Sequence, residues 1–142
     1  MKFSRKTQYG LRAMVYLAEI YKDKKRFCSL KEIYENENIS LSYLENILSR
    51  LEKKELICSK KGSMGGYCLN HSPKKITIKD IVYALEGSTN ITNCVYGGDK
   101  CSKFKTCKAF SVWGKIQKSL DATLDSITLI SLIKQKWKIK FI

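Results

Sequence analysis

Residues 29–69 read SLKEIYENENISLSYLENILSRLEKKELICSKKGSMGGYCL, and this stretch decides the fold. Ser29 followed by Glu32 has capping-box form and opens a short helix that ends near Glu37. Asn38-Ile39 is a turn, and start signals recur at Ser40 and Ser42, where Ser42-Tyr-Leu-Glu45 again has capping-box form. The helix beyond it spaces Leu44, Ile47, Leu48 and Leu51 on one apolar face. Two short helices across a tight turn are a helix-turn-helix. Leu56–Lys60 then reads as a strand, Gly62-Ser-Met-Gly-Gly66 as a turn tolerant of positive φ, and Tyr67-Cys-Leu69 as the returning strand. A helix-turn-helix followed directly by a β-hairpin predicts a winged helix, with Lys60 and Lys61 at the hairpin tip.

On the N-terminal side, residues 4–21 predict a helix whose apolar face is Tyr9, Ala13, Tyr16, Leu17 and Ile20. A charged loop, Lys22 to Arg26, follows. On the C-terminal side Pro73 closes the wing, and Thr77-Ile-Lys-Asp80 opens a helix through Leu85 that Gly87 ends. Ser88 to Thr106 has no periodicity and reads as a loop. From Cys107 a long amphipathic helix steps through Trp113, Ile116, Leu120, Leu124 and Ile127. That wide face suits a partner chain, so a homodimer is expected, in keeping with the two-fold operators of helix-turn-helix proteins. Packing of the helix back on its own domain is the alternative. Ser126 to Lys136 is a further short helix, and Trp137 to Ile142 is a basic, apolar tail of unassigned role. The division is therefore a winged helix-turn-helix DNA-binding domain over 1–87, a cysteine-containing loop over 88–107, and a dimerisation helix with tail over 108–142. The class is mainly α with one small β-hairpin.

A net charge of +14 on 142 residues costs self-repulsion and points to a polyanionic partner, with double-stranded DNA ahead of an anionic membrane. No segment approaches the roughly 20 apolar residues of a membrane span. Lys2, Arg5, Lys6, Arg12 and Glu19 interrupt any signal-peptide core, so a cytoplasmic protein is expected. There the six cysteines stay mostly reduced. Catalytic motifs are missing. The glycines of 62–66 sit in a hairpin rather than between strand and helix, and His71, the sole histidine, has no catalytic company. The thirteen acids are scattered, so the chain does not read as an enzyme.

Cys28, Cys58 and Cys68 fall singly in periodic or strand segments and read as small buried hydrophobes. Cys94, Cys101 and Cys107 form C-x6-C-x5-C in the loop and at the expected start of a helix, where the dipole would favour a thiolate. Soft thiolates select iron–sulfur clusters, zinc or Cu(I). Zinc would need a borrowed fourth ligand. A metal-free thiol switch and a coincidental grouping of the three cysteines are further alternatives.

Ile39-Ser-Leu-Ser-Tyr-Leu-Glu45, Ser49-Arg-Leu51, Gly62-Ser-Met-Gly-Gly-Tyr67, Gly98-Asp-Lys-Cys101 and Trp113 together resemble the IscR-like iron–sulfur assembly repressors. Their larger family includes the nitric-oxide sensor NsrR and the cysteine-metabolism regulator CymR. The likeness runs from about residue 1 to about residue 134. It implies that Cys94, Cys101 and Cys107 ligate an iron–sulfur cluster, 2Fe–2S ahead of 4Fe–4S. It implies that Ser40, Ser42, Tyr43, Glu45 and Arg50 belong to the recognition helix, with Glu45 selecting between operator types. Lys60, Lys61 and Gly62 would serve the wing, where Lys61 stands in place of a frequent arginine and loses its bidentate fork. The fourth ligand departs from the family. Phe110 occupies the histidine position of the IscR branch, and Gln8 the acidic position of the nitric-oxide branch. Asp99, a partner-chain group or an exogenous ligand could complete the site. The implied function is repression of iron–sulfur assembly genes, with cluster-donor proteins as further partners. A metal-free or nitric-oxide/redox-sensing regulator of the same family, or a cluster carrier, are the alternatives.

Overall fold

The computed structural model describes residues 2–97 and 101–135. Asp99 and the tail at 137–142 lie outside the described residues. In chain order the elements are α1 (Arg5–Asp23), α2 (Leu30–Glu37), α3 (Leu41–Lys53), β1 (Ile57–Lys60), β2 (Gly66–Leu69), α4 (Ile78–Glu86), a 3-10 helix (Phe104–Thr106), α5 (Phe110–Ser126) and α6 (Leu129–Lys134). The strands form one antiparallel hairpin, with Ile57 opposite Leu69 and Lys60 opposite Gly66. Among the described residues the chain is mainly helical with a single hairpin behind a helix-turn-helix, and the fold is the expected winged helix.

α1 lies at the centre. Its buried face is Thr7, Gly10, Ala13, Met14, Leu17 and Ala18, while Tyr9, Tyr16 and Ile20 flank it half-buried. The stripe is thus rotated slightly from the apolar face that its periodicity suggests, because small residues let neighbouring helices approach. At Gly10 an added Cβ would lie 2.2 Å from Leu85 Cδ1 and 3.2 Å from Ile47 Cγ2. Both side chains are fully packed, so the α1–α4 crossing has no room for one. Leu44, Ile47, Leu48 and Leu51 of α3 are all fully buried, as their spacing predicts. Each such side chain contributes about 1.5–3 kcal/mol of burial free energy.

Several element starts differ from the sequence expectation. α3 begins after Ser40, not at Ser42, and Ser40 makes no side-chain cap. Ile39 before it and Leu44 four residues inside occupy the positions of a hydrophobic staple, and both are fully buried. Burial of Ile39 fixes the entry point, and Ser42 falls in the first turn. At α2, Ser29 accepts from the Glu32 amide, but the return half of the box is absent. Glu32 is instead taken by Arg26 at 2.5 Å and by the Tyr16 hydroxyl at 2.8 Å. The Arg26 hydrogen bond holds the Glu32 carboxyl below the usual range. At α4 the box is complete, with Thr77 and Asp80 each accepting from the other's amide. α6 is shorter than expected, because Thr77 and Thr128 pair as a β-bridge and end α5. Through Ile78 N–H to Ile127 carbonyl (2.9 Å) and Leu129 N–H to Ile76 carbonyl (3.0 Å), the chain returns to the core.

Glu86 closes the centre. Its carboxylate accepts from Ser4 N–H (2.7 Å), Ser4 Oγ (2.8 Å) and Thr7 Oγ1 (2.6 Å), which puts a negative charge at the N-terminus of α1. Burial opposes its ionisation, but the hydrogen bonds from Thr7 and Ser4 outweigh it and hold the carboxyl below its usual value. A depressed carboxyl stabilises the fold above the unfolded-chain pKa of about 4.3, and that contribution is lost as pH falls through the lower folded value. Glu86→Gln is expected to cost about 1–2 kcal/mol at neutral pH and to flatten the acid limb of stability against pH, measured by thermal melts. An unchanged acid limb would refute the assignment.

Candidate functional site

α3 runs into the hairpin through a tight connection, with Leu56 N–H donating to Leu51 carbonyl (3.1 Å) and Glu55 at φ 58°. Its inward face is the apolar one described above, so the opposite face is presented to solvent. Ser40, Ser42, Glu45 and Arg50 are exposed, and Tyr43 is half-buried, edge-on to Tyr9 at 5.8 Å between ring centres. Asn46, Ser49 and Lys53 share that exposed face, and the sequence reading gives none of them a DNA-binding role. Their signal was available: they stand four, seven and eleven residues after Ser42, on its side of the helix. Arg50 Nε donates to Asn46 Oδ1 at 3.3 Å. Amides and guanidinium groups of this kind match base edges and phosphates. Because α3 starts after Ser40 and not at Ser42, Glu45 falls outside the capping position and is exposed on this face.

In the wing, Lys61 and Gly62 are exposed, and Lys60 lies 6.0 Å over the Phe27 ring. The base of the wing is tied to the body by Cys28, whose N–H and carbonyl pair with Tyr67 at 2.8 and 2.7 Å. Gly66 makes this possible. It sits at φ 137°, and a Cβ there would be 2.1 Å from the Cys28 carbonyl oxygen.

The cysteine segment sits at the other end of the sequence. Cys94 is half-buried, while Cys101 and Cys107 are exposed. Cys94 and Cys101 line one open pocket with Asn90, Asn93, Tyr96 and Gly97. Among the described residues, no three metal-ligating side chains gather around one point. Cys107 is not at a helix start: it ends the 3-10 turn in extended conformation, and α5 begins after Ala109. The helix-dipole argument for its thiolate therefore falls away. Phe110, at the position where the IscR branch has histidine, packs edge-on against Phe104 at 4.9 Å. Gln8 donates to the Phe3 carbonyl at 3.0 Å, a local role. Of the other three cysteines, Cys28 is buried as expected, but Cys58 and Cys68 are half-exposed, because they stand on the outer face of the hairpin.

Sequence periodicity missed the polar anchor beneath this segment. Gln117 is fully buried on α5. Its Oε1 accepts from Ile91 N–H (2.9 Å), and its Nε2 donates to Thr89 carbonyl (3.1 Å) and Asp121 Oδ1 (3.1 Å). Asp121 also accepts from Thr89 Oγ1 (3.0 Å) and the Tyr96 hydroxyl (2.9 Å). Burial raises the Asp121 carboxyl, yet the hydrogen bonds from Tyr96, Thr89 and Gln117 win and keep it below the usual range. Residues 89–96 are thereby fastened to α5. On the same helix, Val112, Trp113 and Ile116 are 52%, 39% and 42% exposed.

Residues 3–135 match the profile of the Rrf2 family, described as iron-dependent transcriptional regulators. The transcriptional regulator IscR of Sodalis glossinidius is 32% identical over 96% of this chain and 81% of its own length. IscR from T. potens superposes with a TM-score of 0.74 at 35% identity, over 99% of this chain and 93% of its own. CymR, the global cysteine regulator of B. subtilis, gives 0.76 at 34% identity, over 94% and 97%. These relatives are named as regulators, not enzymes. Among the described residues no helix is long and apolar enough to cross a membrane.

Gln117→Leu would orphan the Ile91 amide and the Thr89 carbonyl at a cost of about 1–3 kcal/mol. Amide exchange over residues 89–96 should accelerate while the core of α1, α3 and α4 stays protected. Equal protection in both proteins would mean that the segment is held by something else.

Proposed function

The chain belongs to the Rrf2 family of transcriptional regulators, and from that premise we propose that it is a DNA-binding repressor of iron–sulfur assembly genes that senses through a cluster on Cys94, Cys101 and Cys107. The placement of the three thiols carries this reading. Two of them line one pocket, the third lies just ahead of α5, and the segment is bolted to α5 through Gln117 and Asp121. The donor set suits an iron–sulfur centre, since three soft thiolates on one short, accessible segment are the chemistry such clusters select. The three thiols leave a fourth position to Asp99, a partner-chain group or an exogenous ligand. When bound, the cluster supplies a centre whose ligation and charge respond to iron, oxygen or nitric oxide. 2Fe–2S is the form we favour.

The chain's own residues supply the rest. Ser40, Ser42, Tyr43, Glu45 and Arg50 face the major groove from α3, joined by Asn46, Ser49 and Lys53. Lys60, Lys61 and Gly62 bring the wing to the adjacent phosphates or minor groove. A second copy covers Val112, Trp113 and Ile116, so that two recognition helices meet two half-sites. The functional division is 1–87 for DNA, 88–107 for sensing and 108–142 for dimerisation. Any change in how Cys94, Cys101 and Cys107 are held is passed through Gln117 and Asp121 to α5, and thus to half-site spacing. The open arrangement of the three thiols also favours a second reading: a metal-free regulator, alike in fold to B. subtilis CymR.

Two measurements test this. Anaerobically purified protein should be coloured and carry iron and sulfide. Each of Cys94→Ala, Cys101→Ala and Cys107→Ala should be colourless yet folded, because none belongs to the core. Cys28→Ala, Cys58→Ala and Cys68→Ala should keep the colour. A colourless parent protein that still binds operator DNA would select the metal-free reading. On DNA, log affinity should fall with log salt by about 0.9 per neutralised phosphate, and Lys61→Ala should lower that slope by roughly one unit. Glu45→Ala should relax operator choice by about 1–3 kcal/mol rather than weaken every site alike. Uniform weakening would remove Glu45 from base readout.

A further inference from the structure

The wing holds a pair of thiols that neither the DNA face nor the cysteine segment uses. In the β1–β2 hairpin Cys58 stands directly opposite Cys68, between the rungs Ile57–Leu69 and Ser59–Tyr67. Side chains alternate across a strand, and Ile57 and Leu69 point into the core. Cys58 and Cys68 therefore share the outer face. Both are free, and both are half-exposed. Opposed residues of an antiparallel pair have Cα atoms about 4.5–5.5 Å apart. A disulfide spans about 4.4–6.8 Å between Cα atoms, so the Cα separation already suits one, and the Cβ atoms close from about 4.5–5.5 Å to about 3.5–4.5 Å when it forms.

Cys28 is the one other cysteine near this rung. Its backbone pairs with Tyr67 on the far edge of β2, which puts its side chain on the opposite face. It has no exposed surface, and burial pushes its thiol up to about 11. It is shielded from solution oxidants.

We propose that Cys58 and Cys68 form a reversible dithiol–disulfide pair across the wing, a modification site for low-molecular-weight disulfides of the glutathione class. The Cys58 thiolate attacks one sulfur of the small disulfide. That S–S bond breaks, a mixed disulfide forms on Cys58, and the released thiolate takes up a proton. Cys68 then loses its proton to solvent and attacks the Cys58 sulfur, releasing the second small thiolate, which is protonated in turn. Two protein thiols are oxidised to one disulfide, and one small disulfide is reduced to two thiols. Burial, and the adjacent Cys58, raise the Cys68 thiol and disfavour its thiolate. An exposed disulfide of this kind is readily reduced again. The link lies two residues from Lys60 and three from Lys61, so it stiffens the strands that carry the basic tip. Only that last effect, on DNA binding, rests on the function proposed above; the thiol chemistry does not.

The test treats the full-length protein with oxidised glutathione, blocks remaining thiols with an alkylating agent, and maps tryptic peptides. Peptide 55–60 should be recovered joined to peptide 62–74, with Cys28 alkylated only after denaturation, and dithiothreitol should separate the pair. Cys68→Ser should stop at a stable glutathione adduct on Cys58, and Cys58→Ser should give no linked peptide. The triple variant C94S/C101S/C107S should still form the link, which separates this site from the proposed cluster site. Recovery of Cys58 and Cys68 as two independent adducts, or of Cys68 joined to Cys28, would overturn the proposal. So would loss of the link in the triple variant.

Discussion

The close approach of α1 and α4 at Gly10 is the constraint on which the rest of the molecule depends. With no side chain there, Leu85 and Ile47 fill the space against the α1 backbone, and the end of α4 comes within reach of the start of α1. Glu86 then satisfies the Ser4 amide and two hydroxyls while facing the positive end of the α1 dipole. One glycine and one carboxylate thus fix two helices that are far apart in sequence. α3 packs on the same surface, so its solvent-facing side is aimed by that crossing. A recognition face needs such a rigid support, because each base contact is worth little if the helix carrying it can rotate.

The polar anchors matter as much as the apolar core. Gln117 and Asp121 satisfy the backbone of a segment that has no regular structure to do so. A buried amide with all its partners made is rigid, and one with a partner lost is costly, so the network behaves as a unit. It links the thiol-bearing segment to a helix that also carries the exposed Val112, Trp113 and Ile116.

The six thiols sort by environment rather than by chemistry. Cys28 is sealed under the wing, where burial raises its pKa and removes it from reaction. Cys58 and Cys68 face each other on the outside of the hairpin. Cys94 and Cys101 line one open pocket, and Cys107 is exposed just ahead of α5. Identical side chains are thus buried, opposed across a hairpin or left exposed by the strand alternation and loop geometry around them.

The sequence by itself determined the class of fold and the order of its parts. Helical spacing of Leu44, Ile47, Leu48 and Leu51, the glycine-rich turn at 62–66 and the box at Thr77–Asp80 are local signals, and local signals act wherever the chain goes. The polar residues of α3 were legible for the same reason, since an apolar stripe defines the face opposite to it. What tertiary structure decided were the contests between local preferences. Ser40 rather than Ser42 starts α3, because the burial of Ile39 outweighs a serine cap. Glu32 abandons the Ser29 box, because a charged Arg26 is the stronger partner. Cys107 stands outside α5, and Gln117 stands inside the core, where no apolar pattern could mark it. The opposition of Cys58 and Cys68 depends on hairpin register, which a turn fixes only once the inner face has been buried.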